Sequence, residues 1–143
     1  ELGGRMENAY GIDVDQLVDV SRCGINKINV DTDLRMASSR NVLELFKNHP
    51  ELRESESVAC VYRDLTANPA NVDPRNYVSG IMDAILYGEL ADEDVELVDD
   101  CLYRGTISAI APLLVQFGSY RNASEVIPVS LEEMAERYQK AGI

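Results

Sequence analysis

The architecture of this chain turns on one stretch, Gly24-Ile25-Asn26-Lys27-Ile28-Asn29-Val30-Asp31-Thr32-Asp33-Leu34-Arg35. From Ile25 to Val30, β-branched apolar residues interleave with polar ones, which predicts a short strand. Asp31, Thr32 and Asp33 then offer N-cap side chains to a helix carrying Leu34, Ala37, Val42, Leu45 and Phe46. Upstream, Val14, Leu17, Val18 and Cys23 recur at helical spacing after Asp13, and Gly24 is a fitting helix stop. The order helix, strand, helix is one unit of an α/β protein. Its single strand needs parallel neighbours to be stable.

Outward from that unit, Glu1-Leu-Gly-Gly-Arg5 reads as a turn or loop. Beyond His49-Pro50 the character changes: Glu51 to Ser57 is a charged connector, and Thr66 to Asn76 is rich in turn-forming proline and asparagine. Three helical patterns follow. Tyr77, Ile81, Ala84 and Ile85 mark the first. Asp92 to Gln116 marks the second, with Val95, Val98, Leu102, Ile110 and Leu114 on one side and an expected kink or break around Gly105 and Pro112. Ser130-Leu-Glu-Glu133 opens the third with a capping-box pattern, and Leu131, Met134, Ala135 and Tyr138 share its apolar face. We therefore divide the chain into a helix-strand-helix unit, 1–48, and a helical extension, 49–143.

The 143 residues are 45% apolar and 27% charged, a mixture that forms a core and argues against disorder. The longest apolar stretch, Ile107 to Phe117, is interrupted by Ser108, Pro112 and Gln116 and is too short to span a membrane. A formal charge of −12 repels phosphate backbones on average and argues against nucleic acid. Cys23, Cys60 and Cys101 are too far apart in sequence for a structural zinc site, and three scattered thiols read as reduced cysteines of a cytoplasmic protein. Glu1, rather than Met, at the first position suggests a portion of a longer polypeptide.

The chemistry-bearing residues are gathered at the end of the expected strand. Asn29, Asp31, Thr32 and Arg35 put an amide, a carboxylate, a hydroxyl and a guanidinium where a strand turns into a helix, the end that faces ligands in α/β folds. A phosphate could take the Thr32 hydroxyl and local amides there. The same Asp31, Thr32 and Asp33 could equally do no more than cap the helix.

This segment resembles the G-x-x-K-V/I-N-I/V-D-T-D-x-R motif of class II, metal-dependent fructose-1,6-bisphosphate aldolases, near the last strand of their (β/α)8 TIM barrel. Gly3-Gly4 and Tyr10-Gly-Ile-Asp-Val14 are similar to the family's G-G…YGVPVE lead-in. Asp73-Pro74-Arg75-Asn-Tyr77 is similar to its D-P-R-x-Y/W, and Val129-Ser130-Leu-Glu-Glu resembles the tail of some members. The resemblance implies an α/β fold class, with the last strand-helix unit of the barrel followed by C-terminal helices, mostly helical as an isolated fragment. It also implies substrate contacts: Asn29 near the reacting carbons, Asp31 and Thr32 at the ketose phosphate, and Arg35 at the far phosphate in some members. By the same resemblance Arg75 reaches into the neighbouring subunit of a homodimer or higher homo-oligomer and clamps the other phosphate; otherwise it reads as an exposed loop arginine paired with Asp73.

The implied activity is that of a glycolytic lyase, reversibly cleaving fructose 1,6-bisphosphate to dihydroxyacetone phosphate and glyceraldehyde 3-phosphate. A tagatose-bisphosphate aldolase is the close alternative, and a non-catalytic module or helical interaction domain the distant one. Zn2+ is implied as cofactor, with ligands that are not on this chain: the family's H-x-D-H segment, later histidines and glycine-serine phosphate loop are missing, and His49 is the sole histidine. We therefore expect no catalytic or metal residue here, no activity from the chain alone, and a need to oligomerise or to meet a missing half.

Overall fold

A computed structural model describes residues 11–25, 27–70, 72–88 and 92–142. The expected loop over Glu1–Arg5, the Gly3-Gly4 match and Tyr10 lie outside the described residues. The remainder is mostly helical: α1 (Val14–Arg22), α2 (Thr32–Asn48), α3 (Ala59–Ala67), α4 (Pro74–Tyr77), α5 (Met82–Tyr87), α6 (Glu93–Gln116) and α7 (Leu131–Ala141). Short 3-10 turns occupy Pro50–Glu54, Ser79–Ile81 and Ala123–Glu125.

Local sequence accounts for most helix starts. The Asp13 carboxylate accepts from the Asp15 amide at 2.9 Å, and Asp92 does the same for Asp94 at 2.9 Å. Ser130 accepts from the Glu133 amide at 3.1 Å, but the Glu133 carboxylate turns to Arg137 instead of reaching back, so only half of the capping box forms. At the end of α1, Gly24 takes φ +96°, a backbone setting that side-chain-bearing residues avoid.

The expected strand does not form. Ile25 and residues 27–30 carry no regular structure, and no strand exists among the described residues. A strand is stabilised by ladder bonds to neighbours, and none is offered among the described residues. Ile28 and Val30 instead lie half-buried against the C-terminal half of α6, lining a cleft of about 490 Å³ with Leu34, Ile110, Leu113 and Phe117.

The core lies elsewhere. Val42, Leu45 and Phe46 of α2 pack with Val61 and Leu65 of α3, Tyr77 of α4, Val78, Ile81, and Val95 and Val98 of α6. Helix α3 carries two of these residues, although its sequence lay between segments assigned to a connector and to turns. The first helical pattern, around Tyr77 to Ile85, resolves into α4, a 3-10 turn and α5. Ser55 donates to Asp94 at 2.6 Å and Ser57 to Asp92, fastening the charged connector to the start of α6.

The dominant packing is α2 along α6, and Gly105 sits at the crossing. A Cβ at Gly105 would lie 2.5 Å from the Ser38 Cα and 2.7 Å from its amide nitrogen, so only glycine lets the two backbones approach this closely. Ser38 then donates to the Leu102 carbonyl at 3.1 Å, and its Oγ is 3.1 Å from Thr106 Oγ1. Of the kink or break expected around Gly105 and Pro112, the break does not occur: α6 runs continuously from Glu93 through Pro112 to Gln116, and Gly105 serves the contact with α2. By contrast α7 buries no residue; Leu131 and Tyr138 are exposed along one face.

Candidate functional site

Four charged residues meet where α2 and α4 begin. Asp31 is the N-cap residue of α2, yet its side chain makes no capping bond; its carboxylate accepts from Arg35 Nε at 2.6 Å, one helical turn on. The reading in which Asp31 does no more than cap the helix therefore does not describe this side chain. Arg35 also donates through Nη1 to Asp73 Oδ2 at 2.8 Å, across 38 positions of sequence.

Asp73 is the hub. Its side chain is 13% exposed, it caps α4 by accepting from the Arg75 amide at 3.1 Å, and its Oδ2 accepts from Arg75 Nη2 at 2.5 Å. The hydrogen bonds from the Arg75 side chain, helped by the Arg75 amide and the nearby Arg35 charge, hold the Asp73 carboxyl at about 2 against an ordinary 3.8. Arg75 is correspondingly pushed up by its bonds to Asp73. The expected Arg75–Asp73 loop pair is thus present, and it is joined to Arg35.

A buried clasp beneath fixes this arrangement. Ser39 donates to the Val72 carbonyl at 2.8 Å, which uses its one hydroxyl proton, so the Tyr77 hydroxyl 2.8 Å away donates to Ser39 Oγ. Tyr77 is 1% exposed, and burial pushes its hydroxyl up to about 12. Val72 and Tyr77 bracket Asp73-Pro74-Arg75, so the clasp sets where those charges stand relative to α2. Tyr77 was legible as the first residue of an apolar helical pattern, but its bond to Ser39 was not; a polar residue on the apolar side of α2 was the available signal.

Of the five residues singled out from sequence, Asp31, Arg35 and Arg75 are drawn into this cluster through Asp73. Thr32 is the exposed first residue of α2, and Asn29 is exposed in the irregular segment before it. His49 lies at the other end of α2, half exposed, with Nδ1 3.1 Å from Glu51 Oε1. Among the described residues no group of three or more histidine, cysteine, aspartate or glutamate side chains comes together as a metal site. A lone imidazole beside one carboxylate does not fit a catalytic zinc ion, which takes about three protein ligands.

Over nearly its whole length the chain is a homologue of proteins named as aldolases. The name these relatives carry is fructose-bisphosphate aldolase. The chain is 30% identical over 140 residues to that of Pseudomonas aeruginosa and 30% identical over 138 residues to that of Stutzerimonas stutzeri. These matches take in 98% and 96% of this chain but 28% of either relative, so the chain spans little more than a quarter of their length. Fructose-bisphosphate aldolase 2 of Rhodobacter capsulatus is 24% identical over 143 residues, with 90% of that protein covered. No family model and no solved structure matches the chain.

Proposed function

We propose that the chain is the C-terminal portion of a class II fructose-bisphosphate aldolase, with Asn29, Asp31, Thr32, Arg35 and Arg75 forming its phosphate-binding and substrate-binding part. The observation that carries this reading is the convergence of Arg35 and Arg75, far apart in sequence, on one point at the start of α2. A planar guanidinium pair suits a phosphate monoester, because each fork donates two parallel bonds to phosphate oxygens. Thr32, the first residue of α2, and Asn29, in the segment before it, would supply a hydroxyl and an amide that orient a ligand by hydrogen bonds.

In this reading the complete enzyme cleaves fructose 1,6-bisphosphate, or its tagatose epimer, into two triose phosphates. A zinc ion bound elsewhere in the complete enzyme would supply Lewis-acid chemistry. The described residues do not fit that ion, and in this reading its ligands and the proton-moving carboxylate would lie in the remainder of the enzyme. The chain's own task is to hold phosphate and so fix the sugar's position, an orientation effect that raises rate without touching the reacting bond. Residues 1–48 would then form the closing unit of a TIM barrel and 49–143 its helical extension, and Ile28 and Val30 would gain the strand neighbours they lack. The enzyme would be a cytoplasmic homodimer or higher homo-oligomer with no nucleic-acid partner. The uncovered face of α7 would equally serve a non-catalytic helical interaction module.

Thermal melts of the full chain with and without fructose 1,6-bisphosphate separate these readings. We expect stabilisation by the ligand that is lost in Asn29→Ala and in Arg75→Ala. Equal melting temperatures with and without the ligand in the unsubstituted chain would leave the interaction module as the better account.

A further inference from the structure

Two apolar helix faces of this chain have no cover among the described residues. One is on α6, where Tyr103, Ile107, Ile110 and Leu114 recur at helical spacing on the side turned away from Val98 and Gly105. Tyr103 is 65% exposed, and Ile107 and Leu114 also face outward. The other is on α7, where Leu131, 83% exposed, shares a face with Met134 and Tyr138. We propose that the two faces pair between copies of this chain: α7 of one copy lies antiparallel along the α6 stripe of a second copy, which returns the contact with its own α7. The pairing names surfaces for the homo-oligomer of the reading above and uses none of its phosphate-binding residues.

The faces match in length. Leu131 and Tyr138 are seven positions apart, as are Ile107 and Leu114, so each pair marks about 10 Å of helix. An amphipathic helix laid along an apolar stripe of equal length is a common mode of recognition.

Charge selects the antiparallel alignment. Glu93, Asp94, Glu96, Asp99 and Asp100 crowd the first half of α6, and no charged residue follows Arg104 in that helix. On α7, Glu132 and Glu133 stand in the first turn, with Arg137 and Lys140 towards the end. When Leu131 meets Leu114 and Tyr138 meets Ile107, Arg137 and Lys140 come beside the acidic half, and Glu132 and Glu133 lie over the uncharged one. The parallel alignment sets Glu132 and Glu133 against Asp99 and Asp100 instead. Opposed helix dipoles favour the same choice.

A second copy, and not the chain's own α6, is the occupant because the segment between the helices is tied down. The Ser119 amide donates to the Leu114 carbonyl at 2.8 Å, the Asn122 side-chain amide to the Gly118 carbonyl at 3.0 Å, and the Glu125 amide to the Asn122 carbonyl at 3.0 Å. Held so, α7 buries no residue against its own chain. A stable pairing buries about 1,200 Å² or more in total, and reciprocal exchange about a two-fold axis doubles what a single helix covers.

Sedimentation velocity of the full chain over a range of concentrations, without ligand, tests this. We expect a dimer that dissociates on dilution. Leu131→Glu and Tyr103→Glu, both at exposed positions, should keep the helical circular dichroism of the unsubstituted chain and sediment as monomers; Ile107→Glu replaces Tyr103→Glu where the latter does not fold. An equimolar mixture of the α7 and α6 variants should regain a dimer, because one intact α7 still meets one intact stripe. Lys140→Glu should weaken the dimer about threefold, the order of one exposed ion pair. A monomer at every concentration would overturn the proposal, as would a mixture no heavier than its components. A dimer that survives in the α6 variant would discard these faces while leaving the homo-oligomer in place. With no ligand present, none of these results bears on the phosphate-binding reading, which the melts with fructose 1,6-bisphosphate test separately.

Discussion

Tyr77 shows how much one residue of the D-P-R-N-Y turn does for the site beside it. Its hydroxyl donates to Ser39, whose own proton is committed to the Val72 carbonyl, so the turn is fixed to α2 through a short buried chain of bonds. Burial raises the phenol from 10.0 to about 12, which means the folded state keeps this proton through a range in which the unfolded state loses it. The stability it contributes is complete below pH 10 and is lost as pH rises from 10 towards 12. Tyr77→Phe should cost about 1 kcal/mol at pH 7 for the lost hydrogen bond. In chemical denaturation between pH 10 and 12 the same variant should lose less stability than the unsubstituted chain, whereas parallel losses would contradict the buried-donor assignment. Asp73 has the opposite shift: held near 2, its carboxylate persists below pH 3.8, where an unpaired aspartate takes up its proton.

At the scale of elements, α2 and α6 cross where Gly105 meets Ala37 and Ser38. Gly105→Ala should destabilise by about 3 kcal/mol, the upper part of the range for overpacking, because the added methyl meets backbone instead of a side-chain tip that could move. Urea denaturation measures this, and a loss below about 0.5 kcal/mol would mean that the helices separate at little cost. The periodicities of α1, α2, α6 and α7 and the Ser130 cap were legible in sequence because they depend on near neighbours, whereas the expected Asp31 cap of α2 does not form because its carboxylate turns to Arg35. The strand over Ile25–Val30 and the break at Gly105 were misread for one shared reason. Both depend on what lies opposite, an absent ladder partner in one case and the backbone of α2 in the other. In the candidate site, Asn29, Thr32 and the Arg75–Asp73 pair were visible, but the Arg35–Asp73 link spans 38 positions and no local pattern announces it.

For the whole molecule, a core of α2, α3, α4 and α6 coexists with apolar surface that nothing covers. Ile25, Val115, Leu131 and Tyr138 are exposed, and the cleft between residues 25–30 and the end of α6 is open. Exposed large apolar side chains and an open apolar cleft offer surface that other protein could cover. Such faces agree with a chain that spans 28% of the first relatives it matches and supplies, in our reading, one side of a larger site. The charge of −12 works against an anionic substrate, so affinity must come from Arg35, Arg75 and the hydrogen-bonding groups near them. The most direct measurement is phosphorus NMR of fructose 1,6-bisphosphate with the full chain and Zn2+. The account predicts that the chain shifts the phosphate resonances, that Arg75→Ala abolishes the shift, and that no triose phosphate signal grows in. Growth of triose phosphate signals with the chain alone, or a shift that survives in Arg75→Ala, would contradict it.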